Sequence, residues 1–129
     1  MVIENVISKK IIGAAIEVHK QLGPGLLEST YEEWLAHEFS LQTTAYRKQL
    51  PVPLTYKGYP IDCSYRLDFL VEEKVVLEIK AIDTILPVHQ AQVLTYLKIG
   101  GWRLGLLINF HVPLLKHGIY RLVSGLDEE

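Results

Sequence analysis

Residues 65–71, Tyr-Arg-Leu-Asp-Phe-Leu-Val, and residues 74–80, Lys-Val-Val-Leu-Glu-Ile-Lys, follow one another almost without interruption. Both are rich in β-branched and aromatic residues and alternate apolar with polar positions, the pattern of a half-buried strand. Tyr65, Leu67, Phe69 and Val71 fall on one face of the first segment, and Val75, Leu77 and Ile79 on one face of the second. The opposite faces carry Arg66 and Asp68 on one strand, Glu78 and Lys80 on the next. Two such strands pair with their apolar faces on the same side, which requires an odd number of residues in the connection. A three-residue loop, Glu72-Glu73-Lys74, then sets Asp68 opposite Glu78 and Arg66 opposite Lys80. Directly opposed side chains have Cβ atoms about 4.5–5.5 Å apart. Two carboxylates that close repel unless a cation lies between them or one takes a proton. A hard divalent ion such as magnesium accepts carboxylate oxygens and keeps several waters, and Lys80, on the same face, could orient or help deprotonate an attacking water. The same residues also suit a solvated strand face with ordinary cross-strand ion pairs.

With 129 residues, 49% hydrophobic and 22% charged, the chain fits one globular domain, 1–129, built on one core. The lone Cys63 excludes an internal disulfide, and no Cys/His spacing suggests a zinc site. The N-terminus lacks the basic region and apolar run of a signal peptide, and no apolar stretch is long enough to span a bilayer, so a soluble cytoplasmic protein with no membrane partner is expected. A net charge of −2 argues against a general nucleic-acid binder, because phosphate contacts need clustered Lys and Arg. A local patch or bridging metal ions would still permit binding. Lys9-Lys10 and Arg47-Lys48 read as solvated surface.

Residues 4–21 have helical periodicity, with Ile7, Ile11, Ala14, Ala15, Val18 and Leu22 on one stripe and Asn5 or Ser8 as candidate caps. Gly23-Pro24-Gly25 breaks that helix. A second helix over 27–40 carries a Tyr31, Leu35, Phe39 stripe, with Glu28 on the Tyr31 face. A strand over 44–50, a hairpin across Lys57-Gly58 and the two opening strands follow. Pro87 starts a helix over 87–99 whose core candidates are Val88, Ala91, Leu94, Thr95 and Ile99, and Gly100-Gly101 ends it. The apolar run 103–109 reads as an interior strand reached by a right-handed parallel crossover, and 118–123 as an edge strand. The order is α-α-β-β-β-β-α-β-β: an α/β sheet of mixed direction flanked by helices.

Gly25-Leu26-Leu27-Glu28-Ser29-Thr30-Tyr31 spells GxxExxY. With Val18-His19, Tyr65 to Asp68, Glu78 to Ala81, His89 to Leu97 and Leu106 to Phe110 in this order, the chain resembles the GxxExxY protein family of the PD-(D/E)xK nuclease-like superfamily from about Ile7 to Val123. The resemblance implies a restriction-endonuclease-like core, a central mixed β-sheet with helices on both sides. It implies Asp68 and Glu78 as ligands of magnesium, with manganese as a substitute, and Lys80 as the lysine that assists the water. It implies Glu28 as the acid on the preceding helix that completes the site, and Gln92 and Tyr96 as the QxxxY wall of the exonuclease-like branch. Leu67 stands where the motif name has proline. The implied activity is a Mg2+-dependent nuclease acting on nucleic acid, DNA before RNA. The alternative is a non-catalytic binding or assembly module that keeps the nuclease fold. A homodimer is compatible with either.

Glu28 also suits the first turn of a helix on macrodipole grounds alone, and Tyr96 suits a core aromatic, with Gln92 capping a nearby backbone group. His19, at a helix end, reads as structural, and His89, one turn before Gln92, lies within reach of a phosphate or a metal-bound water. No partner is legible for His111 or His117. Tyr46, Tyr56, Tyr59 and Tyr65 could stack on bases, although tyrosines in edge strands more often pack or line a rim.

Overall fold

The computed structural model describes residues 2–61 and 65–127, so Cys63 lies outside the described residues. Helix α1 spans Ile3–Leu22 and α2 Glu28–Leu41; strands β1 Tyr46–Pro51, β2 Leu54–Tyr56, β3 Tyr59–Ile61, β4 Arg66–Val71 and β5 Val75–Lys80 follow. Helix α3, Pro87–Gly100, leads to β6, Leu104–Asn109, and β7, Ile119–Val123. The hairpin across Lys57-Gly58 contributes two short strands, so five strands rather than four separate α2 from α3. It forms its own sheet, while the central sheet runs β1-β4-β5-β6-β7. Among the described residues only the β5–β6 pair is parallel. No described helix is long and apolar enough to cross a membrane.

The sheet is covered on both faces. On one, Ile7, Ile11, Ala14, Ala15 and Val18 of α1 and Tyr31, Leu35 and Phe39 of α2 pack on Phe69, Val71, Val75, Leu77 and Ile79. On the other, Val93, Tyr96 and Leu97 of α3 pack on Leu70, Val76 and Leu107. This explains why β5 is buried at every position but the last, where simple alternation would leave every second residue exposed.

Two apolar assignments, one on β4 and one just before it, differ from the alternation. Leu67 packs with Leu70 and Val76 rather than with Phe69, and Tyr65 is 47% exposed. The regular β4–β5 ladder ends at Phe69–Leu77, and neighbouring β1 carries a positive φ of 55° at Gln49. The strand turns its faces at this break. Arg66 therefore does not face Lys80 across the ladder; it pairs with Pro51 on β1 and its guanidinium donates to the Gln49 carbonyl at 3.5 Å.

The core face of α3 is also rotated from the expected one. Val88 is 64% exposed, Ala91 and Thr95 are exposed, and Leu94 and Ile99 are half-buried. The helix is apolar on most sides, so its sequence does not select a face. Gly105 of β6 does: a Cβ there would lie 2.8 Å from Val93 Cγ1, so the missing side chain lets Val93 and Leu97 settle on the sheet.

At the start of α1 neither Asn5 nor Ser8 caps the helix, which begins upstream with Val2 in the capping position. Asn5 instead accepts a bond from Arg121 Nη2 at 2.7 Å, and Ser8 is buried. Glu4, 3% exposed, receives Arg103 Nε at 2.9 Å and Nη2 at 3.0 Å, tying α1 to the start of β6. Burial raises the Glu4 pKa, but hydrogen bonding to its own backbone and Arg103 outweighs it and holds the carboxyl below its ordinary value. The stabilisation is present above the ordinary carboxylate range and fades as pH falls through it. Arg103→Ala is expected to cost about 1.5–3 kcal/mol, the worth of hydrogen bonds to a charged group. Urea unfolding at neutral pH measures this, and an unchanged midpoint would remove the pair from the account.

Candidate active site

The β4–β5 hairpin has the expected three-residue loop and register, with Val71 opposite Val75 and Phe69 opposite Leu77. One step further, Asp68 meets Glu78, and there the carboxylates replace the ladder. The Asp68 backbone N–H donates to Glu78 Oε1 at 3.2 Å, and the Ile79 N–H donates to Asp68 Oδ2 at 2.8 Å. Each acid uses one oxygen to accept a backbone N–H of the facing strand, and the two side chains also interact with each other. The arrangement fixes both carboxyl groups without any long side chain having to be ordered.

Glu78 is 6% exposed and Asp68 is half-buried. Burial, and then the adjacent negative charge of Asp68, push the Glu78 carboxyl up to about 9, while the positive charge of Lys80 works the other way. Without a cation, the closely placed pair therefore favours sharing a proton. A buried acid pair that must take either a proton or a cation has the donor set a hard divalent ion favours. Among the described residues no three His, Cys, Asp or Glu side chains converge as a metal-binding group, so Asp68 and Glu78 stand as a pair.

Glu28 is the first residue of α2 and is exposed, with no hydrogen bond or ion pair among the described residues. The motif around it has a clear local logic. Gly25 has φ +99°, a conformation that disfavours any side chain. The Tyr31 hydroxyl donates to the Gly23 carbonyl at 2.5 Å and accepts the Leu26 N–H at 3.2 Å, closing the loop on itself. The Tyr31 ring stacks on Phe110 at 4.6 Å, and the Phe110 N–H donates to the Lys80 carbonyl. The glycine and tyrosine thus clasp the start of α2 at the Lys80 end of the sheet, and Glu28 is presented from that clasp.

On the other face, α3 supplies the wall. Gln92 hydrogen-bonds Tyr96, and burial, then the charge of Glu78, push the Tyr96 phenol up to about 12. Tyr96 therefore stays a neutral O–H over any working pH. It is 5% exposed, so it serves the core and the wall together. The Tyr65 ring lies 6.3 Å from it, and the two border a cleft of about 570 Å3 with Val88, His89, Ala91, Gln92 and Thr95. Three of the α3 positions expected in the core, Val88, Ala91 and Thr95, line this cleft instead. His89 Nδ1 accepts the Leu86 N–H at 2.9 Å, which caps the helix and leaves the neutral ring's proton on Nε2.

Asn109 is a further contributor, with no expectation attached to it from sequence. It is 3% exposed, accepts the Ile82 N–H at 3.1 Å and the His111 N–H at 3.2 Å, and donates to the Ile82 carbonyl at 2.8 Å. It pins the loop that follows Lys80 to the end of β6. The available signal was a polar residue closing an apolar run in register with Lys80. Two other histidines hold loops: His19 Nε2 bonds the Val112 carbonyl at 2.8 Å, and His111 Nε2 lies 3.2 Å from Asp83.

No curated protein and no solved structure matches this chain. A family model described as the PD-(D/E)XK nuclease superfamily matches residues 5–122, which contain both strands of the carboxylate hairpin and the helices on either side of it, and the chain belongs to that superfamily.

Proposed function

We propose that the protein is a divalent-metal-dependent nuclease that hydrolyses phosphodiester bonds, with DNA preferred to RNA and magnesium as the ion. The observation that carries this reading is the Asp68–Glu78 pair, each carboxylate anchored to a backbone N–H of the opposite strand, with burial and the Asp68 charge disfavouring the ionised form of Glu78. Asp68 and Glu78 would hold the ion, with Glu28 as a third acid reached from the start of α2. When bound, the ion supplies Lewis-acid stabilisation of phosphate charge and lowers the pKa of water. Lys80, beside Glu78, orients the attacking water and assists its deprotonation. The Tyr96 hydroxyl and the His89 Nε2–H would donate to phosphate oxygens, and Gln92 holds the Tyr96 hydroxyl in place. A second copy of the chain would extend the contact made with a duplex, which sedimentation measures.

The test is incubation of the purified chain with single- and double-stranded DNA and RNA in magnesium or manganese. Metal-dependent cleavage that disappears with Lys80→Ala supports the reading; no cleavage by the wild type sinks it. The second reading, a binding module that keeps the fold without turnover, is favoured by the absence of a third converging carboxylate among the described residues. It expects neither cleavage nor stabilisation by magnesium.

A further inference from the structure

The β2–β3 hairpin stands outside the central sheet, and its tip takes no part in the Asp68–Glu78 pair. Tyr56 and Tyr59 are cross-strand partners at its tip, so their rings share a face, and they are 64% and 71% exposed. Two residues back on the same face, Leu54 packs against the cluster that contains Val52, Tyr96 and Leu97. The hairpin is thus rooted on the α3 side of the sheet. Its base is closed by the Val52 N–H donating to the Tyr65 carbonyl at 2.9 Å, and the Tyr65 side chain borders the cleft.

The charge at the tip points the same way. Residues 46–61 hold Arg47, Lys48 and Lys57 and no carboxylate, in a chain of net charge −2. Arg47 and Lys48 are paired with Glu73 and Glu33. Lys57, with its ammonium 5.3 Å from the centre of the Tyr56 ring, has no ion pair among the described residues. Exposed aromatic rings beside a cation that has no carboxylate partner among the described residues form a platform for unpaired bases joined by phosphates. A paired duplex hides its base faces in the stack and gives these rings nothing to cover.

We infer that the β2–β3 hairpin is a stacking arm that receives an unpaired nucleic-acid strand on Tyr56 and Tyr59 and leads it past Tyr65 into the cleft. This rests on the nuclease reading for the strand's destination but not for its binding. In magnesium-free buffer, fluorescence anisotropy of the full chain with an oligothymidine of about 16 nucleotides, and with a duplex of the same length, separates the two. The double variant Tyr56→Ser, Tyr59→Ser is expected to weaken single-strand binding about tenfold or more, with duplex binding unchanged. Tyr56→Phe with Tyr59→Phe is expected to restore it, because the ring is kept. Lys57→Ala is expected to reduce the slope of log affinity against log salt by about 0.7 on the single strand.

Unchanged single-strand binding in the serine variant overturns the inference, as does an equal loss on the duplex. A wild type that sediments as a dimer and a serine variant that sediments as a monomer would assign the face to a second copy and also overturn it. Both tyrosines are exposed, so an unchanged thermal melt of the variant certifies the fold. Ring-dependent binding without cleavage by any protein leaves the arm standing and removes the nuclease. Lys80-dependent cleavage with ring-independent binding does the reverse.

Discussion

Replacing Lys80 with alanine is expected to reduce magnesium-dependent cleavage by about 10²–10⁴-fold, the range for a positioned proton-transfer group. The residue is half-buried at the last position of β5, its backbone carbonyl is engaged by Phe110, and its ammonium makes no hydrogen bond or ion pair among the described residues. The loss of activity should therefore come without loss of fold, and the melting temperature should move little. Lys80→Arg divides the two contributions the lysine can make. Arginine keeps the positive charge beside Glu78 but does not give up a proton at working pH. Activity close to that of alanine assigns Lys80 to the water; activity close to wild type assigns it to electrostatics alone. Equal cleavage by wild type and Lys80→Ala would remove Lys80 from the mechanism.

Glu78→Gln should stabilise the metal-free protein while abolishing activity. The folded pKa of Glu78 lies near 9, above the ordinary value of 4.5. Its contribution to stability is therefore fully present below the ordinary value and is lost progressively as pH rises toward 9. Over that window each pH unit removes up to about 1.4 kcal/mol, reduced in practice by rearrangement around the buried group. Glutamine stays neutral, can still accept the Asp68 N–H, and has no such window. At pH 8 in a chelator the variant should be more stable than wild type by about 1–3 kcal/mol, several degrees in melting temperature. Magnesium reverses the order: at a hundred times its dissociation constant, an ion bound only by the folded wild type adds about 2.7 kcal/mol, and the variant should gain nothing comparable. A variant that melts below wild type at pH 8 without metal would show that the Glu78 charge is not a burden in the fold.

The carboxylate hairpin was legible because β4 and β5 each offer an apolar face around a three-residue loop, and a one-residue slip would have exposed Phe69 or Leu77. The apolar pattern sets Phe69 opposite Leu77 and so brings Asp68 to Glu78. It could not reveal that the two carboxylates take over backbone N–H groups at the end of the ladder, which depends on where the strands part. The same parting moved Leu67 to the α3 side and left Tyr65 open. The α1 stripe was readable because its polar face is unambiguous, whereas α3 is apolar almost all round, and a glycine on another strand, Gly105, selects its face. GxxExxY was visible as a string, but the work of its tyrosine is a pair of hydrogen bonds to backbone groups at Gly23 and Leu26. The role of Asn109 was not legible for a related reason: two of its three bonds reach Ile82, 27 residues away in sequence.

The central claim is that Asp68 and Glu78 form a divalent-metal site. A crystal soaked in manganese and measured at the manganese absorption edge tests it most directly. An anomalous peak is expected about 2.0–2.2 Å from one oxygen of each carboxylate, in the range of hard-cation coordination, and it should disappear in Glu78→Gln. A fully soaked wild-type crystal with no peak between these carboxylates, or with manganese bound elsewhere on the chain, would contradict it.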